Sequence, residues 1–144
     1  EKPAFRTAYK KRRCVVPTDG FYEWQKPDTP KGAKQPYYIH WAGDESRVFA
    51  GLWESWNDPD GVALLTFTII TTTANDKMKP VHDRMPVILS RDEAEQWLNV
   101  DASPDDVAAL LRPCPENWLE LRPVSTLVNS PRNDSPKCIE PVDG

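Results

Sequence analysis

Two short stretches of the chain carry residue types that could do chemistry. The first is Gly20-Phe21-Tyr22-Glu23-Trp24. In an extended strand successive side chains point to opposite faces, so Phe21 and Glu23 share one face and Tyr22 and Trp24 the other. A carboxylate beside an aromatic ring is partly shielded from water, and partial desolvation equips such a group as a general acid or base. The same position would equally suit an ordinary hydrated carboxylate at a sheet edge. The second stretch is His82-Asp83-Arg84-Met85-Pro86. Histidine is the side chain that moves protons near neutral pH. An arginine two positions on offers a planar fork of donors that matches a phosphate. A loop histidine paired with Asp83, next to a surface arginine, would give the same string. Tyr22 and Trp24 suit stacking on unpaired bases, or simple core packing. His40, inside Tyr37-Tyr38-Ile39-His40-Trp41, reads as packing, and Cys14 reads as an inert core thiol.

Other chemistries find no foothold. The chain has no G-x-G-x-x-G, no Walker A motif, no H-E-x-x-H and no G-x-S-x-G. Two histidines and three cysteines at these spacings fit no zinc template, so neither a metal nor a cofactor is expected.

The elements that must position these residues are short. Cys14-Val15-Val16 reads as a strand ended by Pro17, and Thr18-Asp19-Gly20 as a turn into a strand over 21–25. Residues 27–32 form a proline-rich loop. Strands follow at Tyr37 to Trp41 and Val48 to Trp53. The clearest lies over 63–72, where Leu65, Phe67 and Ile69 alternate with Thr66 and Thr68 and predict one firmly buried face. After Val87-Ile88-Leu89 the period changes. Ser90 and Glu93 spell a capping box, with Ala94, Trp97 and Leu98 on the inner face of a helix. Ser103 caps a second helix with Pro104 at its first position, and Val107, Leu110 and Leu111 inward. One further strand begins at Leu119. This pattern predicts an α+β fold, an antiparallel barrel-like sheet core with short peripheral helices, in a single domain over 1–144.

Composition agrees. Of 144 residues, 28% are charged and 39% hydrophobic, the balance of a folded domain and not of a disordered chain. Fifteen prolines, about twice ordinary usage, favour many connections and few short helices. The longest apolar stretch, Val62 to Ile70, is broken by Thr66 and Thr68 and is too short to span a bilayer, and no apolar signal segment opens the chain. An odd number of cysteines with no C-x-x-C pair predicts reduced thiols in an intracellular protein. Net charge is −4, yet residues 1–13 carry Lys2, Arg6, Lys10, Lys11, Arg12 and Arg13 against Glu1 alone. A charged terminus is the plain reading of that run, and a polyanion-binding arm the sharper one.

Four stretches together carry a family resemblance. Pro17-Thr18-Asp19-Gly20-Phe21-Tyr22-Glu23-Trp24 resembles the signature of the SOS-response-associated peptidase (SRAP) family, which often has alanine at the position of Thr18. Ala50-Gly51-Leu52-Trp53-Glu54 resembles the next motif. Thr71 to Asn75 followed by His82 to Leu89 resembles the third, and Val124-Ser125-Thr126-Leu127-Val128-Asn129 the last. The resemblance implies capture of abasic sites in single-stranded DNA. A terminal cysteine condenses with the ring-opened sugar and closes a thiazolidine, and the same machinery removes the initiator methionine. By motif position it implies Glu23 and His82 as catalytic residues, and Trp24 and Arg84 as DNA contacts. It implies no membrane and a cytoplasmic site of action, or a nuclear one in a eukaryote. The family's Met-Cys-Gly-Arg start and asparagine–arginine motif are not in this sequence, so the chain is expected to be N-terminally incomplete. Open strand edges such as those of Val15-Val16 or Leu65 to Ile69 are then expected to meet that segment or another copy of the chain. Two further readings stand beside this one: a single-strand-binding module without chemistry, using Trp24, Arg84 and the basic terminus, and a protein that is mainly a peptidase.

Overall fold

The computed structural model describes residues 3–142. In chain order its elements are α1 (Pro3–Lys11), β1 (Arg13–Thr18), β2 (Gly20–Gln25), β3 (Gln35–Trp41), β4 (Arg47–Asn57), β5 (Ala63–Ile69), β6 (Thr71–Thr73), β7 (Arg84–Pro86), β8 (Ile88–Leu89), α2 (Arg91–Leu98), α3 (Pro104–Ala109) and β9 (Leu119–Pro123). Short 3-10 turns lie at Glu116–Trp118, Thr126–Asn129 and Pro136–Ile139. The fold is α+β, with antiparallel sheets and few helices. The strands form a four-stranded, a three-stranded and a two-stranded sheet, and none of the three closes into a barrel.

The chain divides into two compact units, each assembled from three stretches. The first holds the chain through Thr18, then Ser46–Thr72 and Pro86–Cys114. The second holds Asp19–Glu45, Thr73–Met85 and the chain from Pro115 onward.

In the first unit β4 is the hub. It pairs with β1 (Val15 opposite Ala50), with β5 (Trp53 opposite Phe67) and with β8 (Phe49 opposite Ile88), all antiparallel. Ala8, Ala50, Leu52, Val87, Leu89, Trp97, Val107 and Leu110 pack as its core. Burying the Trp97 indole requires a partner for its N–H, which donates to the Cys14 carbonyl at 2.9 Å. Ser90 and Glu93 close the reciprocal capping box that starts α2, and Ser103 caps α3 ahead of Pro104.

Four expectations need correction in this unit. The basic run is not a bare terminus: α1 forms there, with Ala8 fully buried and Tyr9 edge-on against Trp97. The predicted buried face of the strand over 63–72 is not buried. Leu65 is 69% and Phe67 62% exposed, because β5 is the last strand of its sheet and no described residue covers that side. Leu98 points outward at the end of α2, where the helix has turned past its buried side. Cys14 is half-buried and not a core residue, and the burial it has pushes its thiol up from the ordinary value.

The second unit is built on the sheet β2-β3-β9, with Glu23 opposite Tyr37 and Ile39 opposite Leu121. Ile39 and Leu119 are fully buried, as is Met78 in the connection beyond β6. Gly20 starts β2 because nothing larger fits. A Cβ there would lie 2.4 Å from the Ile39 carbonyl oxygen and 2.7 Å from the Tyr38 ring.

Candidate functional site

All four residues singled out by the sequence, Glu23, Trp24, His82 and Arg84, lie in the second unit. Glu23 sits in the middle of β2, whose register with β3 is fixed from Gly20 opposite His40 to Gln25 opposite Gln35. His82 ends a compact turn. Asn75 starts it by accepting the Met78 N–H on its side-chain oxygen at 3.0 Å, the way a helix is capped. The Asn75 carbonyl then accepts from Lys79, and the Met78 carbonyl accepts from Val81 and His82. Buried Met78, Val81 and Met85 anchor the turn from below. Two side chains tie it to the sheet: Gln25 donates to the Pro80 carbonyl at 2.9 Å, and Lys77 to the Leu119 carbonyl at 2.5 Å.

This scaffold brings Glu23 and His82 together. His82 Nε2 lies 3.6 Å from Glu23 Oε2, with side-chain exposures of 39% and 28%. That distance is too long for a hydrogen bond, so both polar ends remain open to a third group. The other ring nitrogen is held from behind. Nδ1 is 3.1 Å from both the N–H and the carbonyl oxygen of Arg84, and 3.4 Å from Asp83 Oδ1. A backbone donor and a backbone acceptor at one distance let the imidazole hold its proton on either nitrogen. A carboxylate facing such an imidazole, both half-open to water, can pass a proton to and from a bound substrate.

Trp24 is placed differently. Strand alternation turns it to the face opposite Glu23, as expected, where its ring centroid is 6.4 Å from that of Tyr22. The row continues through Tyr38, 5.5 Å from Tyr22, to His40, stacked on Tyr38 at 5.3 Å. His40 Nε2 also lies 3.6 Å from Glu120 Oε2, so a carboxylate joins its packing contacts. The Trp24 indole N–H donates to Asn129 Oδ1 at 2.7 Å. Arg84 is exposed, and its backbone is what seats His82. Reading by residue chemistry passed over Asn75, Gln25 and Asn129. Asn75 and Asn129 fall inside the quoted motifs, which was the available signal, whereas nothing local marks Gln25. Among the described residues no three His, Cys, Asp or Glu side chains converge as metal ligands do, and no helix is long and apolar enough to cross a membrane.

Comparison with known proteins places this geometry in context. The family profile described as SOS response associated peptidase (SRAP) matches residues 1–131. The chain is 47% identical over 141 residues to the abasic site processing protein YoqW of Bacillus subtilis, covering 97% of this chain and 62% of that protein. It is 41% identical over 155 residues to the abasic site processing protein HMCES of Gallus gallus, covering 93% of this chain and 45% of that protein. A crystal structure of a protein from Bacteroides thetaiotaomicron superposes with a TM-score of 0.89 at 33% identity, over 99% of this chain and 62% of that one. The chain thus spans between about half and three-fifths of the length of these relatives. A profile matched over nearly the full chain, joined to relatives this similar, settles descent: the chain belongs to the SOS response associated peptidase (SRAP) family.

Proposed function

We propose that the chain carries the acid–base machinery with which the family processes abasic sites in single-stranded DNA. One observation carries this reading: an imidazole and a carboxylate from separate motifs face each other at 3.6 Å while both stay accessible. In the proposed sequence Glu23 gives a proton to the sugar ring oxygen as the C1′–O4′ bond opens, and the anomeric hydroxyl loses one to leave an aldehyde. A cysteine α-amine then condenses with that aldehyde, releasing water, and His82 moves the protons of that step. Addition of the same residue's thiolate to the carbon of the protonated imine closes a thiazolidine, whose ring nitrogen keeps that proton. The amine and thiol must belong to one terminal residue. Cys14, Cys114 and Cys138 cannot serve, since each nitrogen is committed to a peptide bond. The same groups would act in removal of an initiator methionine. Arg84 would hold a phosphate beside the lesion and Trp24 would contact the strand. The site of action is the cytoplasm, or the nucleus in a eukaryote.

The test is a denaturing gel with an abasic oligonucleotide, beside an equilibrium titration with an undamaged one. In a full-length family chain carrying this sequence, Glu23→Gln is expected to slow adduct formation by about 10²–10⁴-fold, the usual worth of positioned proton transfer, with affinity nearly unchanged. Adduct formation at the unsubstituted rate would make Glu23 structural. Residues 1–144 alone are expected to give no adduct that survives denaturation, and one formed at an internal cysteine would overturn the assignment of the nucleophile. Salt-sensitive binding with no adduct from the full-length chain would favour the non-catalytic reading, which draws on the Trp24–Tyr22–Tyr38 row of rings.

A further inference from the structure

The basic residues from Arg6 to Arg13 do not share one job. Arg13 is consumed internally: its guanidinium donates to the carbonyls of Trp97 at 2.6 Å, Asn99 at 2.7 Å and Tyr9 at 2.9 Å. Arg12 pairs with Glu54 and donates to the Trp53 carbonyl. Arg6, Lys10 and Lys11 are different. They lie on α1, which has no acidic residue between Pro3 and Lys11, and all three are exposed. Among the described residues none of them has a carboxylate partner. Buried Ala8 fixes which side of α1 faces the core, and Arg6 and Lys10, one helical turn apart, project from the rest of it.

Arg6 also borders a groove of about 290 Å3 between α1 and β5, lined by Phe5, Tyr9, Leu52, Ile70 and Leu111. Phe5 stands 45% exposed at its rim. Glu54, the carboxylate on the neighbouring part of this surface, is already neutralised by Arg12. Uncompensated cations beside an exposed ring and an apolar groove are the two ingredients of sequence-tolerant single-strand binding, phosphates on the cations and a base on the ring. In a chain of net charge −4, α1 carries three exposed cations and no acid between Pro3 and Lys11. We infer that the α1–β5 groove is a second nucleic-acid contact, apart from the Glu23–His82 site, which takes undamaged single strand with Arg6 and Lys10 on consecutive phosphates and Phe5 against a base. The inference rests on the proposed action on single-stranded DNA and assigns that activity a further surface.

The experiment is a fluorescence-anisotropy titration of the 144-residue chain with a labelled, undamaged oligothymidine at several salt concentrations. Single strands lose about 0.7 in the slope of log affinity against log salt for each phosphate contact removed, so Arg6→Ala with Lys10→Ala is expected to lower the slope by about 1.4. Phe5→Ala is expected to weaken binding several-fold at every salt concentration with the slope unchanged. Lys31→Ala with Lys34→Ala, two exposed loop cations, serves as the control of equal charge and is expected to leave the slope alone. Circular dichroism melts check that each variant folds. An unchanged slope in the α1 pair, an equal fall in the loop pair, or no binding at low salt overturns the inference. Because the oligonucleotide has no lesion, the result is independent of adduct formation. A slope lost in the α1 pair, with no adduct from the full-length family chain on abasic oligonucleotide, keeps the groove and sinks the proposed function, and adduct formation by the full-length chain with an unchanged slope does the reverse.

Discussion

His82 is held by its own neighbour: both backbone groups of Arg84 lie 3.1 Å from Nδ1, and Nε2 is left to face Glu23. In the proposed mechanism these two groups exchange protons with one substrate and act as a unit, so their losses do not add. His82→Phe keeps the ring shape and removes both nitrogens. It is expected to slow adduct formation as Glu23→Gln does, with the double variant no slower than the slower single one; rates that multiply would mean the residues act independently. Cys114 makes a separate point about burial. It is buried, and desolvation pushes its thiol up to about 11 from an ordinary 9.0, against the pull of Arg112 and Arg47. The fold therefore favours the neutral thiol. That contribution is full below about pH 9 and is lost as pH climbs from about 9 to about 11, reaching about 2–3 kcal/mol. Burial raises Tyr22 and Tyr38 as well, so they add to the alkaline loss in the same direction. Urea midpoints at pH 7.5, 9 and 10.5 check this: Cys114→Ala is expected to start lower and to decline less steeply. At this scale residue type and motif singled out Glu23 and His82 as candidates, and the fold brings the two to 3.6 Å. The sequence was silent where a role depends on a distant carbonyl, as for Gln25 on Pro80.

Elements with local causes were legible in the sequence and those with remote causes were not. The caps at Ser90 and Ser103 could be read because every atom of a cap lies within three residues. The exposure of β5 could not, because alternation fixes which side chains share a face and says nothing of what packs on it. α1 escaped notice because its charges mask a helix held by Ala8 and Tyr9 against a core formed largely by later sequence. Arg13 does for two helices what a cap does for one. Its guanidinium satisfies carbonyls in the last turn of α1 and at the end of α2, and lies 5.5 Å from the centre of the Trp97 ring. Arg13→Met keeps the stem and strands those carbonyls, and is expected to cost about 3 kcal/mol in urea unfolding. Arg13→Lys recovers only part of it, since an ammonium cannot span the same fork. Full recovery by lysine would show that charge alone matters there.

At the scale of the whole molecule the largest unresolved demand is the apolar side of β5. Leu65 and Phe67 are each more than half exposed on one face, with Trp53 opposite Phe67 on the adjoining strand also exposed. An edge strand with exposed apolar side chains is a template for association. Leu65→Thr with Phe67→Thr is expected to lower binding of a hydrophobic dye and concentration-dependent self-association, with the urea midpoint nearly unchanged; a large loss of stability would mean the face is buried in solution. The α+β class was legible from short strands, prolines and two capped helices. The division into two units was not, because it depends on which distant strands pair. Each unit collects three separated stretches, and β3 waits for β9 to complete its sheet. This interleaving has a consequence for birth on the ribosome. At roughly 5–20 residues per second, Glu23 and His82 have both been made some seconds before Leu119 to Pro123 follows. The three-stranded platform under them cannot be whole until β9 has itself left the ribosome, so on the proposed mechanism the nascent chain holds both residues without a finished site through all the synthesis between.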